Sequence, residues 1–243
     1  MAVAEGFGSF SHPRLPIQGQ TWYRTVGDLK SSKRLLIVVH GGPGGVHDYL
    51  TPYFSDLPEK TGIPVILYDQ VGNGNSTHLR ETKHDANVWR LEIFLAELDN
   101  LLRALNVADN YDLFGHSWGG EVVAEFAVRY QPPGLKHLII ASAPVSVEAL
   151  IEVVKGHMRR LPQAAQEAIR VAEAEQKYDT PEYQAAMLEF FKRHMCRFWP
   201  WPQGLLSFFE KVESDDTVDG TMYGPSIINA TGTHKGKSSP YFN

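Results

Sequence analysis

The segment Gly115-His116-Ser117-Trp118-Gly119 constrains this chain more than any other. It fits G-x-S-x-G. Before it stands Tyr111-Asp112-Leu113-Phe114, a short run that reads as a buried strand. After it, Glu121 to Tyr130 reads as a helix that stops before Pro132-Pro133, where a helix cannot continue. The flanking glycines permit a strained turn and let strand and helix pack closely. The bland alternative is a plain strand-to-helix turn with an exposed serine. The strand and helix on either side favour Ser117 as a nucleophile for attack on a carbonyl, and such a serine needs a histidine to take its proton.

A second glycine cluster, His40-Gly41-Gly42-Pro43-Gly44-Gly45, follows Leu35-Leu36-Ile37-Val38-Val39, an apolar run typical of a central parallel strand. Backbone N–H groups aimed at a developing oxyanion are often the largest catalytic contribution, and glycines allow the backbone that approach. The donors expected are Gly42 and Trp118, with Gly41 expected to contact substrate. A phosphate loop would end in Gly-Lys-Ser/Thr, which is absent. The third motif, Asp69-Gln70-Val71-Gly72-Asn73-Gly74-Asn75-Ser76, follows the strand-like Ile63 to Tyr68. Asp69 reads as a brace for local backbone N–H groups rather than a catalytic acid. His40 is expected to orient the glycine loop.

The fold class is α/β. Strands are expected near 21–27, 34–40, 63–69, 111–115 and 136–142, and a helix over 86–106, where Val88, Leu91, Leu95, Leu98, Leu102 and Leu105 form one apolar stripe. Residues 145–229 read as helical without strands, a cap on a core of 1–144, followed by an irregular tail at 230–243. Net charge of −5 gives no basic footprint for nucleic acid. A lone Cys196 fits a reducing compartment. The amino-terminal residues lack a basic segment leading into an apolar stretch, and no apolar run reaches ~18 residues, so cytoplasmic residence is expected with no membrane partner. No histidine spacing suggests a metal, and no cofactor is expected.

Taken in order, the three motifs resemble the proline iminopeptidase (prolyl aminopeptidase) branch of the α/β-hydrolases. Phe190 to Arg197 and Met222-Tyr223-Gly224-Pro225-Ser226 look like cap segments of the same branch. The resemblance implies an α/β-hydrolase fold, a mostly parallel sheet with flanking helices and a helical cap. It implies a serine hydrolase that releases N-terminal residues, often proline, from peptides through an acyl-enzyme. Some relatives cleave amino-acid amides or esters. Trp199 and Trp201 offer aromatic surface either to line the substrate pocket around a proline ring or to pack into an aromatic core.

Two departures bear on activity. Where family members carry an acid that holds the substrate's α-amine, this chain has Ile227. The family would also continue past Thr233 with two strand-helix units bearing the triad aspartate and histidine, and these are expected to be lacking. His234 follows Asp215, Asp216 and Asp219 in formally correct order, but no strand-like run precedes it, so it reads as a solvated tail histidine. His47, His78 and His84 are expected to be exposed. The expectation is a hydrolase with impaired catalysis. The alternatives are an amidase or esterase, or an inactive product that self-associates through an exposed sheet edge.

Overall fold

A computed structural model describes residues 2–144 and 146–234. The elements run β1 (Val3–Phe10), β2 (Gly19–Val26), β3 (Leu35–Val39), α1 (Thr51–Phe54), α2 (Leu57–Thr61), β4 (Val65–Tyr68), α3 (Leu91–Ala104), β5 (Tyr111–His116), α4 (Trp118–Tyr130) and β6 (Leu135–Ala141). Five further helices follow: α5 (Val147–Met158), α6 (Gln163–Glu175), α7 (Pro181–His194), α8 (Gln203–Ser214) and α9 (Thr217–Met222).

The strands form one sheet in the order β1-β2-β4-β3-β5-β6. β4, β3, β5 and β6 are mutually parallel, while β1 and β2 join as an antiparallel hairpin on the β4 side. Every residue of β3 and β4 is buried, as their unbroken apolar runs demand of strands covered on both faces. On one face α3 and α4 close the largest core, around Trp89, Phe94, Trp118 and Phe126. The other face buries Val26, Leu36, Val38, Leu50, Val65 and Leu67.

Two elements differ from the sequence expectation. β1 was not anticipated, because Gly6 and Gly8 break its alternation; yet it pairs with β2 along its whole length. Gly6 faces Tyr23, whose ring would collide with any side chain there (an added Cβ would lie 2.7 Å from Cζ). α3 begins at Leu91 rather than near 86. Asp85 caps a tight turn by accepting from the Asn87 N–H at 2.8 Å. Trp89 is pinned in the core by its indole N–H to Thr82 Oγ1 at 2.9 Å. Val88 is in phase with the stripe but lies outside the helix.

α5, α6 and α7 enclose a separate apolar cluster containing Val154, Met158, Ile169, Met187 and Phe190. α9 returns to the main body: Val218 and Met222 pack into the largest core. Residues 217–222, within the segment expected to form the cap, therefore contribute to the sheet's own core. At the far edge, β6 leaves Ile139 and Ile140 46% and 47% exposed.

Glu97 on α3 is fully buried. Its Oε1 accepts from the Thr21 hydroxyl and from the Val71 N–H at 2.8 Å, so one carboxyl group joins α3, β2 and the loop after β4. Burial pushes its pKa up to about 8, against the opposing effect of those two donors. A raised folded pKa contributes stability that is complete below the unfolded value and lost as pH climbs through the folded one. The Glu97 contribution is therefore expected to fall from about pH 5 to about pH 8, by at most roughly 1.4 kcal/mol per pH unit. Glu97→Gln should flatten that fall in a pH series of thermal melts and raise Tm at pH 8. A wild-type series already flat over this window would show that Glu97 is ionised in the fold.

Candidate active site

Ser117 stands between β5 and α4 with φ 52° and ψ −123°, a region that L-residues enter at a cost of ~1–3 kcal/mol. Its N–H donates to the Ala141 carbonyl at 2.9 Å, and its own carbonyl accepts from Gly120 at 2.8 Å. The neighbouring glycines are required sterically. A side chain on Gly115 would strike the Gly119 carbonyl, and one on Gly119 would strike the carbonyls of Val39 and His40. The elbow is thus wedged between β3, β5 and β6. Trp118 anchors it from below, donating its indole N–H to Gln70 Oε1 at 3.1 Å and meeting Phe94 edge-on.

The glycine loop lies directly against the serine: a Cβ on Gly41 would be 3.2 Å from Ser117 Cβ and 2.9 Å from the Tyr49 hydroxyl. His40 is fully buried and orients the loop. Its Nδ1–H donates to the Gly41 carbonyl at 2.8 Å, and its Nε2 accepts from the Gln70 N–H at 3.1 Å. A carbonyl only accepts and an amide only donates, so these partners fix the neutral tautomer, and burial holds the ring pKa below its usual value. The Gly41 N–H donates to the Tyr49 hydroxyl at 2.8 Å, and that hydroxyl meets His116 Nδ1 at 2.7 Å. Gly41 is therefore already committed. The N–H groups of Gly42 and Trp118 make no hydrogen bond among the described residues. Trp118, as the first residue of α4, has no acceptor within the helix. From α9, Asp219 buttresses the loop at Gly44, and burial with the charge of Asp216 pushes its pKa up to about 7.

Asp69 is wholly buried and accepts from the backbone N–H groups of His47 and Asn75, both at 2.9 Å. It also takes His47 Nδ1 at 2.7 Å. Burial opposes its charge, but these donors hold its carboxyl below the usual range. His47, expected to be exposed, is instead buried by this bond and by stacking on Trp22. His84 is exposed and His78 is half-buried.

No hydrogen bond to Ser117 Oγ is made among the described residues. Among the described residues every histidine-carboxylate pair lies elsewhere: His47 with Asp69 and, at 3.9 Å, Asp48, His78 with Asp215, His137 with Asp112, and His234 with Glu121. Asp216 is held by Lys83 at 2.6 Å. His234 is a correction to the expected solvated tail. It is buried, its N–H donates to the Met222 carbonyl at 2.9 Å, and its ring packs edge-on against Trp118 with Nε2 2.8 Å from Glu121. Backbone pairing with the end of α9 draws it in, which no local sequence pattern signals.

From the cap, Trp201 stacks on Phe209, which meets Phe208, which meets Tyr49 beside Ser117, with centroids 5.3–5.5 Å apart at each step. Trp199 joins this run edge-on at Trp201 but is itself 59% exposed. Ile227 packs against the cap cluster, and the neighbouring Ser226 hydroxyl goes to Glu173. Tyr49 and Gln70 were missed by motif reading, since their roles come from contacts between the three loops. Tyr49→Phe keeps the ring but loses both hydroxyl bonds. It should cost about 1–3 kcal/mol, seen as a lower urea midpoint; an unchanged midpoint would show that the bridge contributes nothing.

Residues 34–233 match the family described as alpha/beta hydrolase fold. A proline iminopeptidase of Lactiplantibacillus plantarum is 33% identical over 90% of this chain and 74% of its own length. The crystal structure of proline iminopeptidase from Mycobacterium smegmatis superposes with a TM-score of 0.82 at 35% identity, over 96% of this chain and 75% of that one. The crystal structure of VinJ gives 0.87 at 40% identity, over 96% and 76%. With its strained serine elbow, glycine loop and sheet order, the chain belongs to the α/β-hydrolase family, in its proline iminopeptidase branch.

Proposed function

We propose that Ser117 is the nucleophile of a proline iminopeptidase-type acyl-transfer site, with the Gly42 and Trp118 N–H groups as oxyanion donors. One observation carries this reading: a serine at positive φ lies against a glycine loop, and the Gly42 and Trp118 N–H groups have no hydrogen-bond partner among the described residues. The substrate is a small peptide, with Gly41, Trp201 and Trp199 along the approach to the serine. Attack by Ser117 Oγ on the scissile carbonyl would break its π bond and place charge on the oxygen facing Gly42 and Trp118. Collapse would then expel the amine and leave an acyl-serine for water to hydrolyse.

Both half-reactions need a base that becomes an acid. Among the described residues no histidine reaches Ser117, and each paired carboxylate serves another contact. We read the described residues as bearing the nucleophile and oxyanion parts of the site, with none of them placed as a base for Ser117. Ile227, apolar where an amine-holding acid would stand, favours a second reading in which the relaxed substrate is an amino-acid amide or ester. The exposed edge at β6 supports self-association as the non-catalytic alternative.

Oxyanion and binding contributions alone leave ~10³–10⁴-fold acceleration over water, around a millionfold below an intact triad. The purified chain is therefore expected to give background turnover of proline p-nitroanilide and negligible fluorophosphonate labelling at Ser117. Labelling of Ser117 with turnover of about 1 per second or faster would show that a base is present and refute the impairment. Labelling and turnover that survive Ser117→Ala would refute the nucleophile assignment itself.

A further inference from the structure

The cap ends in a surface that, apart from Trp199, the acyl-transfer site does not use. α5 and α7 finish side by side, joined by the stacked rings of His157 and His194 at 4.4 Å. Around this junction lie Arg159 and Arg160 after α5, Lys192 and Arg193 in the last turn of α7, and Arg197 just beyond it. Burial, the neighbouring His157 and the positive charges of Arg160, Arg193 and Arg197 hold the His194 pKa below its usual value, so these three arginines share one electrostatic neighbourhood. Arg193 is paired with Glu189, whereas Arg159, Arg160 and Arg197 have no ion pair among the described residues. Cations at helix C-termini are favourable in themselves and need no ligand.

What the helix ends do not explain is the apolar part. Phe198 is 74% exposed, Trp199 59% and Met195 49%, in the same stretch as Arg197. Lys192 Nζ lies 3.4 Å from the centre of the Trp199 ring, so cation and aromatic form one unit. The chain as a whole carries a net charge of −5, which makes this patch an exception rather than a sample of the surface.

We propose that the tip of the cap is a peripheral docking surface for an anionic lipid bilayer. Aromatic and thioether side chains would enter the boundary between headgroups and acyl chains, while the arginines meet lipid phosphates and carboxylates. The negative remainder of the protein would be repelled, which orients the cap towards the lipid. The absence of a membrane partner was expected because the sequence holds no long apolar run; no helix among the described residues is long and apolar enough to cross a membrane, and peripheral docking requires none. The aromatic run from Trp199 through Trp201 and Phe209 then links the docked face to Tyr49 and the serine loop.

The test is co-sedimentation of the whole chain with phosphatidylcholine vesicles prepared with and without phosphatidylserine. Binding is expected only with phosphatidylserine, weakening as salt rises. Arg160→Gln or Arg197→Gln should each lower partitioning about fivefold. A Phe198→Ser, Trp199→Ser double variant should reduce binding to the level seen with neutral vesicles, with the thermal melt confirming that it folds. Equal binding to both vesicle types, or none, would overturn the proposal. So would undiminished binding of the double variant, or equal retention of wild type and double variant on heparin together with no vesicle binding, which would assign the cations to an acidic macromolecule.

Discussion

The conformation of Ser117 is the constraint on which the site depends. An L-residue at φ 52° and ψ −123° is held there against local sterics by contacts on three sides. Ala141 at the end of β6 takes its N–H, α4 starts immediately after it, and glycine at 115 and 119 lets β5, β3 and the helix approach without side chains between them. Unstrained backbone would swing the hydroxyl away from the glycine loop and withdraw the first amide of α4 from it. Strain at one residue is thus offset by the close approach of β3, β5 and α4 and by the hydrogen bond to the end of β6, a distribution common at functional sites.

The loops around the elbow are held by a connected set of polar contacts rather than by regular structure. His40 links Gly41 to Gln70, Gln70 links back to Trp118, Tyr49 joins Gly41 to His116, and Asp69 gathers His47 and Asn75. Most of these groups are buried, with Tyr49 and His116 half-buried and Asn75 exposed, so the network specifies one loop arrangement at the cost of desolvating several polar side chains. Glu97 extends it to β2 and α3 through Thr21 and Val71. Two backbone donors, at Gly42 and Trp118, are left out of it among the described residues, and these are the groups we propose as oxyanion donors.

Much of this was legible in the sequence, for stated reasons. β3 and β4 show as apolar runs because both their faces are covered, and the elbow shows because its sterics admit only glycine at 115 and 119. β1 escaped notice because its stability comes from pairing with β2, not from its own pattern. The start of α3 was misplaced because Val88 and Trp89 keep the helical phase while the Asp85 turn directs the chain. His47 and His234 read as exposed because their partners, Asp69 and Glu121, are distant in sequence. The cap surface has the same origin: its cations come from two helices that meet only in space.

Strain at Ser117 can be measured apart from any catalysis. Glycine tolerates this backbone conformation, while alanine inherits the same clash as serine and lacks only the hydroxyl. Chemical denaturation of Ser117→Gly and Ser117→Ala should therefore show the glycine variant more stable by about 1 kcal/mol, the relief of strain exceeding glycine's entropy cost in the unfolded chain. Equal stability, or an alanine variant that is the more stable, would mean that the serine is not held in a strained turn, and the nucleophile reading would lose its physical basis.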